Sequence, residues 1–387
     1  MNKPHLRRLT HDPASFWKSA YVHIPFCARV CPYCDFAVVA GADGQADRYL
    51  AAVLKEIALT ASIGPLDAVY LGGGTPSRFG VDRLAAVLDA LRTHHNLRVD
   101  AEVSLEANPE DAEPAWAEAV AAIGFSRVSL GAQSFDTQVL TALGRRHSPD
   151  QIGDAVKFLR EAGVSSMNLD LIFGTPGESL ESWQRSLESA ITLAPDHVST
   201  YGLTVEKGTE LFRAVMGGAP APDPDDQADK WELAVSFLEN VGMTRYEISN
   251  FARPGHECRY NLSVWAQGEY LAFGNGAHRH VNGVRSHNFR GLESYLSGIE
   301  KDEVFGGVDD RENGAWAKDV ERVFLGLRRA AGVEAGWAGR ALIISEGGRR
   351  LVDAGLIRVE EGRLLVNRPL LTDEVSRLLL SLSAVDC

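Results

Sequence analysis

Cysteine is scarce in this chain: five in 387 residues, three of them crowded into positions 27–34. That excludes a disulfide scaffold, and a chain of this length buries a core without covalent staples. Long hydrophobic runs are missing too, so no membrane span is expected. Residues 1–20 mix His, Lys, Arg, Asp and Pro without an apolar stretch, and no secretory leader is expected from them. Basic charge is in deficit: 39 Lys and Arg against 52 Asp and Glu leave a net charge of -13. A general nucleic-acid coat is thereby disfavoured, and no nucleic-acid partner is expected. A reducing cytoplasm fits these absences. Peripheral membrane contact stays open.

What is present is alternation. β-prone runs occur at 20–24, 68–72, 101–107, 127–132, 167–174 and 197–203, and helical patterns lie between them at 46–61, 81–95, 114–124, 149–163 and 179–191. About six βα units place the chain in the α/β class. Each strand ends in unusual chemistry: the cysteine loop, then GGGTPS, Glu106 with Asn108, Gln133, Asp170 and Tyr201. Parallel β/α folds put their sites at the C-terminal strand ends. For six such ends to converge, the sheet must curve into a partial barrel.

Four regions follow from this pattern: an N-terminal extension at 1–19, the barrel at 20–217, a barrel-closing, substrate-facing region at 218–312, and a C-terminal unit at 313–387. The segment 218–227 reads as a loop before a helix. Residues 246–289 are rich in Gly, Asn, His and aromatics, and read as strands and functional loops that close one end of the barrel. The last region reads helix, helix, helix, small hairpin, helix, a winged-helix-like α+β unit. Over 321–387 it carries ten Arg and no Lys against nine acids, too balanced for phosphate-driven binding. Packing on the barrel or contact with a protein partner is expected of it.

Cys27, Cys31 and Cys34 are separated by three and then two residues. Structural zinc would need a fourth ligand, supplied by a distant Cys or His. A [4Fe–4S] cube held by three thiolates leaves one iron open, able to take an amine and a carboxylate from a small molecule.

The stretch HIPFCARVCPYCDF resembles the C-x-x-x-C-x-x-C signature of radical S-adenosylmethionine (SAM) proteins. YLGGGTPS, LEANPE, RVSLGAQSFD, LGRRH, NLDLIFGTPGES, STYGLTVEKGTELF, YEISNFARPGHECRYNLSVW and FGNGAH extend the likeness over residues 19–380. The pattern is similar to the oxygen-independent coproporphyrinogen oxidase superfamily and, within it, to the HemW heme chaperones. The resemblance implies a partial (β/α)6 radical SAM barrel, a [4Fe–4S] cluster on the three cysteines and an external low-potential electron donor. It also implies one SAM contacted at Tyr21, Gly73, Gly74, Thr75, Glu106, Gln133, Arg145, Asp170 and Gly202. Gly72, Gly73 and Gly74 would let the backbone approach that ligand. Glu106 can accept from the SAM amine. Gln133 and Asp170 can hold ribose hydroxyls, and Arg145 can reach the carboxylate or the ribose side.

Two departures bear on the second ligand. Coproporphyrinogen oxidases proper resemble C-x-x-x-C-x-x-C-x-C, and Phe36 stands where their fourth cysteine would be. HemW-type proteins carry a His-Asn-x-x-Tyr-Trp motif, which here is Tyr260-Asn-Leu-Ser-Val264-Trp265. Asn275, in FGNGAH, also differs from the Ala or Pro expected there. Imidazole is a good iron ligand and a neutral phenol a poor one. His256, Cys258, Tyr260, Trp265, His278, His280 and His287 are the candidates around a second ligand. The resemblance implies that this ligand is heme, destined for heme-accepting proteins. The alternative is a second SAM, as in the class C radical SAM methyltransferases and related cyclopropanating enzymes.

Overall fold

The computed structural model describes residues 13–303, 306–311 and 314–383. Most of the expected extension at 1–19 and the expected boundary at 312–313 lie outside the described residues. Six strands run parallel in chain order: β1 Ser19–Ile24, β2 Leu66–Gly73, β3 Leu97–Ala107, β4 Arg127–Gln133, β5 Ser166–Phe173 and β6 His197–Gly202.

Strand side chains alternate between two faces. One set, including Val22, Ile24, Val69, Leu71, Leu105, Leu130, Leu169 and Val198, is buried in the main core. Each such side chain contributes about 1.5–3 kcal/mol. The other set, Tyr21, His23, Tyr70, Gly72, Glu106, Ser129, Asn168, Asp170, Ser199 and Tyr201, faces the lumen. Strands buried on both faces are ordinarily apolar throughout. Here the lumen face is polar and aromatic, and the barrel's chemistry is built from it.

The connecting helices form where expected. Asp223 shows why 218–227 is not all loop. Its carboxylate accepts from the backbone N–H groups of Asp225 and Asp226, and Pro224 takes the first helical position, so the helix spans Pro224–Asn240.

The region after this helix extends the sheet at both edges. β7 Thr244–Arg245 and β8 Asn250–Ala252 add antiparallel strands beyond β6. β9 Tyr270–Phe273 is a seventh parallel strand, paired with β1. β10 His278–Val281, β11 Val284–His287 and β12 Gly307–Arg311 continue antiparallel from it. The end of the barrel where the parallel strands begin is stopped by the helix Arg259–Trp265. Its backbone N–H at Arg259 donates to Glu102 Oε1 at 2.9 Å, and Ser263 Oγ donates to the Trp17 carbonyl at 3.1 Å.

Beyond Gly314, helices Ala315–Gly326, Gly336–Ile344, Glu346–Asp353 and Thr372–Leu380 pack with a three-stranded antiparallel sheet. Strands Val333–Glu334 and Ile357–Glu360 flank Arg363–Val366. Val323, Leu342, Ile357, Leu364, Val375 and Leu379 form a core separate from the main one. The unit touches the barrel region through Ala330, whose N–H donates to the Tyr246 carbonyl at 3.0 Å, and through an Arg285–Glu321 ion pair.

Candidate functional site

A cavity of about 560 Å³ opens at the C-terminal ends of β1–β6. Its rim is the cysteine loop, which is tied down from several sides. Phe26 and Cys27 pair with Val39 and Ala40. Cys34 N–H closes a turn onto the Cys31 carbonyl at 3.1 Å, and Leu211 N–H donates to the Pro32 carbonyl at 2.8 Å. Tyr33 packs on a small cluster that includes Val139, Leu143, Ile172 and Leu203. Asn275, the departure from the expected small residue, donates from Nδ2 to the carbonyls of Ala37 and Arg290 at 3.1 and 3.0 Å. It therefore anchors the far end of the loop to the turn that follows β9.

The three thiols are half-buried and unpaired by any disulfide. Burial pushes Cys34 up to about 11 and raises Cys27 as well, so the bare loop keeps these two thiols protonated. A thiolate here needs a metal's positive charge to displace the proton. Among the described residues no three Cys, His, Asp or Glu side chains converge on one ion. A cube differs from a zinc ion in offering a separate iron to each thiolate. Two donors already address the sulfurs: Thr75 Oγ1 lies 3.4 Å from Cys27 Sγ, and Arg145 Nη1 lies 3.8 Å from Cys31 Sγ. Arg145 Nη2 holds the Asn108 side chain and the Gly131 carbonyl, while its Nε is buried without a partner among the described residues. An orphaned donor beside three thiols fits a site completed by an anionic or sulfide-bearing group.

The triple glycine has a packing reason beside the expected one. A Cβ at Gly72 would lie 2.9 Å from the Glu106 carboxyl, at Gly73 2.3 Å from His23 Nδ1, and at Gly74 2.7 Å from the Pro25 carbonyl carbon. Gly73 also has φ +113°, a region closed to most side chains. The glycines let β2 cross the start of the cysteine loop, where Gly74 N–H donates to Ile24 O at 2.8 Å and Thr75 N–H to Phe26 O at 2.9 Å. Gly73 and Gly74 line the cavity and Gly72 does not.

Deeper in the cavity sit two carboxylates. Glu106 accepts from Tyr70 OH at 2.9 Å and from Gly73 N–H at 2.9 Å. Burial, and then the negative charge of Asp170, push its carboxyl up to about 7. Asp170 accepts from Ser129 Oγ at 2.6 Å and from Asn168 Nδ2 at 2.8 Å, and burial raises it too. Gln133, in the left-handed region at φ 63°, Thr75, Arg145 and Gly202 complete the expected set on the cavity wall. Tyr21 does not line the cavity. It stacks below it against Tyr70 and Tyr260, with centroids 6.3 and 6.0 Å away, and its hydroxyl is 3.1 Å from His23 Nδ1. Sequence reasoning passed over Tyr70, Ser129 and Asn168. For Tyr70 and Asn168 the signal was present, since each lies two residues from a chosen residue on its own strand and hence on the same face, whereas a bulge separates Ser129 from Gln133.

The candidates for a second ligand are not brought together. His256 Nδ1 lies 3.2 Å from Ser166 Oγ, at the start of β5. Cys258 is buried, and its thiol is pushed up to about 12, chiefly by burial. Both sit at the N-terminal strand ends, about 20 Å of strand from the cysteine loop. His278 and His287 face each other across β10 and β11, with centroids 5.4 Å apart. His280 is buried, with Nδ1 3.1 Å from the Gly268 carbonyl. Tyr260 and Trp265 do meet, in a second cavity of about 260 Å³. Asn261, Val264, Glu247, Asn250 and Arg328 share its wall, and Tyr201 and Ser249 line both cavities. Arg328, from the C-terminal unit, lies 5.4 Å over the Trp265 ring. The motif stretch that departs from the resembled pattern thus lines a cavity that shares two wall residues with the thiol-rimmed one.

A model of the radical SAM superfamily matches residues 21–190. Heme chaperone HemW of Mycobacterium tuberculosis H37Rv is 41% identical over 327 residues, 81% of this chain and 82% of that one. Heme chaperone HemW of Bacillus subtilis is 34% identical over 321 residues, 82% of this chain and 84% of that one. Mitochondrial radical S-adenosyl methionine domain-containing protein 1 of Bos taurus is 38% identical over 326 residues, 82% of this chain and 70% of that one. Among solved structures, the radical SAM enzyme coproporphyrinogen III oxidase (HemN) of Escherichia coli superposes with a TM-score of 0.81. The match covers 95% of this chain and 91% of that one at 23% identity, a likeness of fold. The chain belongs to the HemW family of the radical SAM superfamily.

Proposed function

We propose that this protein is a cytoplasmic heme chaperone that carries a [4Fe–4S] cluster on Cys27, Cys31 and Cys34, seats one SAM in the larger cavity, and passes heme to an acceptor protein. The observation that carries this reading is 41% identity over 81% of the chain to a relative named a heme chaperone. No helix among the described residues is long and apolar enough to cross a membrane. Reduction of the cluster requires an external low-potential donor. With SAM bound, a reduced cluster held by Cys27, Cys31 and Cys34 would supply one-electron cleavage of the sulfonium.

The chain's own groups then have defined tasks. Asp170, held by Ser129 and Asn168, accepts from ribose hydroxyls, with Gln133 beside it. Arg145 offers its unpartnered Nε–H to the carboxylate or the ribose side. Glu106 accepts from the ammonium. That last pairing has a pH signature. Glu106 titrates near 7 in the folded chain, above its ordinary value of 4.5. Between those values the folded state binds the extra proton, so its contribution to stability falls as pH rises through that window. An ammonium needs the ionised form. SAM affinity is therefore expected to fall below pH 7, by up to about tenfold per unit. Glu106→Gln should bind weakly above pH 7 and lose this pH dependence. Equilibrium dialysis across pH 5.5–8.5 checks both.

Heme is assigned to the smaller cavity at Tyr260–Trp265, which has room for one edge of a macrocycle. Burial raises the Tyr260 hydroxyl well above its ordinary range, and a neutral phenol is a poor iron ligand. Tyr260→His is therefore expected to tighten hemin binding and shift the Soret band. His256→Ala and Cys258→Ala, at residues that do not line that cavity, should leave the band in place. The class C methyltransferase reading, with a second SAM, is not favoured by the relatives. Non-saturable hemin binding, together with steady S-adenosylhomocysteine formation under anaerobic reduction, would sink the chaperone reading.

A further inference from the structure

His197 is only 1% exposed and lines neither cavity, yet both of its ring nitrogens are engaged. Nδ1 lies 2.6 Å from Asn168 Oδ1, and Nε2 lies 2.8 Å from the Tyr246 hydroxyl. Asn168 Nδ2 reaches Asp170 Oδ1 at 2.8 Å and Ser129 Oγ at 2.6 Å, and Ser129 Oγ donates to Asp170 Oδ2 at 2.6 Å. Strand register creates the cluster: Ser129 stands beside Asn168, and Asn168 beside His197.

The chain of hydrogen bonds has one self-consistent direction. As a carboxylate, Asp170 only accepts, so Asn168 must turn its NH2 toward it. Asn168 Oδ1 then faces His197 and also accepts from Ser199 Oγ at 3.2 Å. Nδ1 of His197 must therefore carry the proton, and Nε2 accepts from Tyr246. A reversed amide would set Asn168 Oδ1 against the carboxylate. Burial, with the nearby charge of Arg127, keeps the imidazole neutral, as this arrangement requires.

We propose that His197 is a positioning residue for Asp170. Its Nδ1–H locks the Asn168 amide, and Asn168 with Ser129 locks the carboxylate plane. Each Asp170 oxygen then keeps accepting capacity toward the cavity, matched to two vicinal ribose hydroxyls. This rests on the reading of Asp170 as the ribose acceptor.

The test uses the anaerobically reconstituted full chain, with S-adenosylhomocysteine and its 2′-deoxy analogue as probes. His197→Gln moves the amide to the Tyr246 end and removes the donor to Asn168. His197→Asn keeps an N–H near the Nδ1 position. His197→Gln is expected to weaken S-adenosylhomocysteine about tenfold and the 2′-deoxy analogue by less than about threefold, and His197→Asn to stay within about twofold for both. Equal losses for the two probes, or none, would overturn the proposal, because a merely structural histidine does not distinguish ribose from deoxyribose. Asp170→Ala separates the premises. If it binds like the unaltered chain, the ribose reading of Asp170 fails, and this proposal with it. If it loses affinity while His197→Gln does not, only the positioning role fails.

Discussion

Replacing any one of Cys27, Cys31 or Cys34 by alanine is expected to cut bound iron from about four per chain to less than about one after anaerobic reconstitution. Three thiolates are the minimum for a cube with an open corner, so two leave it without a stable seat. The loop does not preorganise thiolates, since burial keeps the Cys27 and Cys34 thiols neutral. Affinity therefore comes from all three metal–sulfur bonds together. The fold should persist, because these half-buried thiols stand apart from the main core. Iron analysis, the visible spectrum and a thermal melt on the same samples separate loss of cluster from loss of structure. Full iron retention in any one variant would remove that cysteine from the ligand set. Stoichiometric zinc without iron uptake in the unaltered chain would remove the cluster.

Asp170→Ala is expected to weaken SAM by tenfold or more, since each charge-assisted hydrogen bond to a hydroxyl is worth about 1.5–3 kcal/mol. A second effect has its own sign. Asp170's charge is one of the two causes that raise Glu106 to about 7, after burial. Without it, the Glu106 carboxyl titrates lower, and the pH midpoint of ammonium binding moves down with it. The variant should therefore bind weakly but keep what affinity it has to lower pH. An unchanged dissociation constant would show that Asp170 does not hold the ligand. An unchanged midpoint would show that the two carboxylates are not coupled through the lumen.

Much of this was legible in the residues. The runs around Val22, Leu71, Leu105, Leu130, Leu169 and Val198 alternate with polar partners at period two, which marks strands with two different faces. The turn and strand-end residues named the cavity, and Asp223 with Pro224 carried a helix start that the composition of 218–227 concealed. Asn275 looked anomalous until its amide was found holding the end of the cysteine loop.

The rest depended on distance in space. The histidines and Cys258 share one chemistry and neighbouring positions in the chain, yet the helix Arg259–Trp265 crosses the far end of the barrel and leaves His256 and Cys258 there. No periodicity reports such a crossing, because it is set by which edge of the sheet the returning chain joins. The glycines at 72–74 read as ligand contacts, and close packing against Glu106, His23 and Pro25 requires them as well. Close approach of the backbone to a neighbouring side chain or strand demands the same residue as close approach to a ligand. Local order determined the strands, the thiol loop and the carboxylates at strand ends, since each is written in spacing along one segment. Only the tertiary structure decided that Ser129 and His197 stand on either side of Asn168, and that Tyr201 and Ser249 join two cavities. Those neighbours come from strand register and barrel closure, which sum over contacts between residues far apart in the chain.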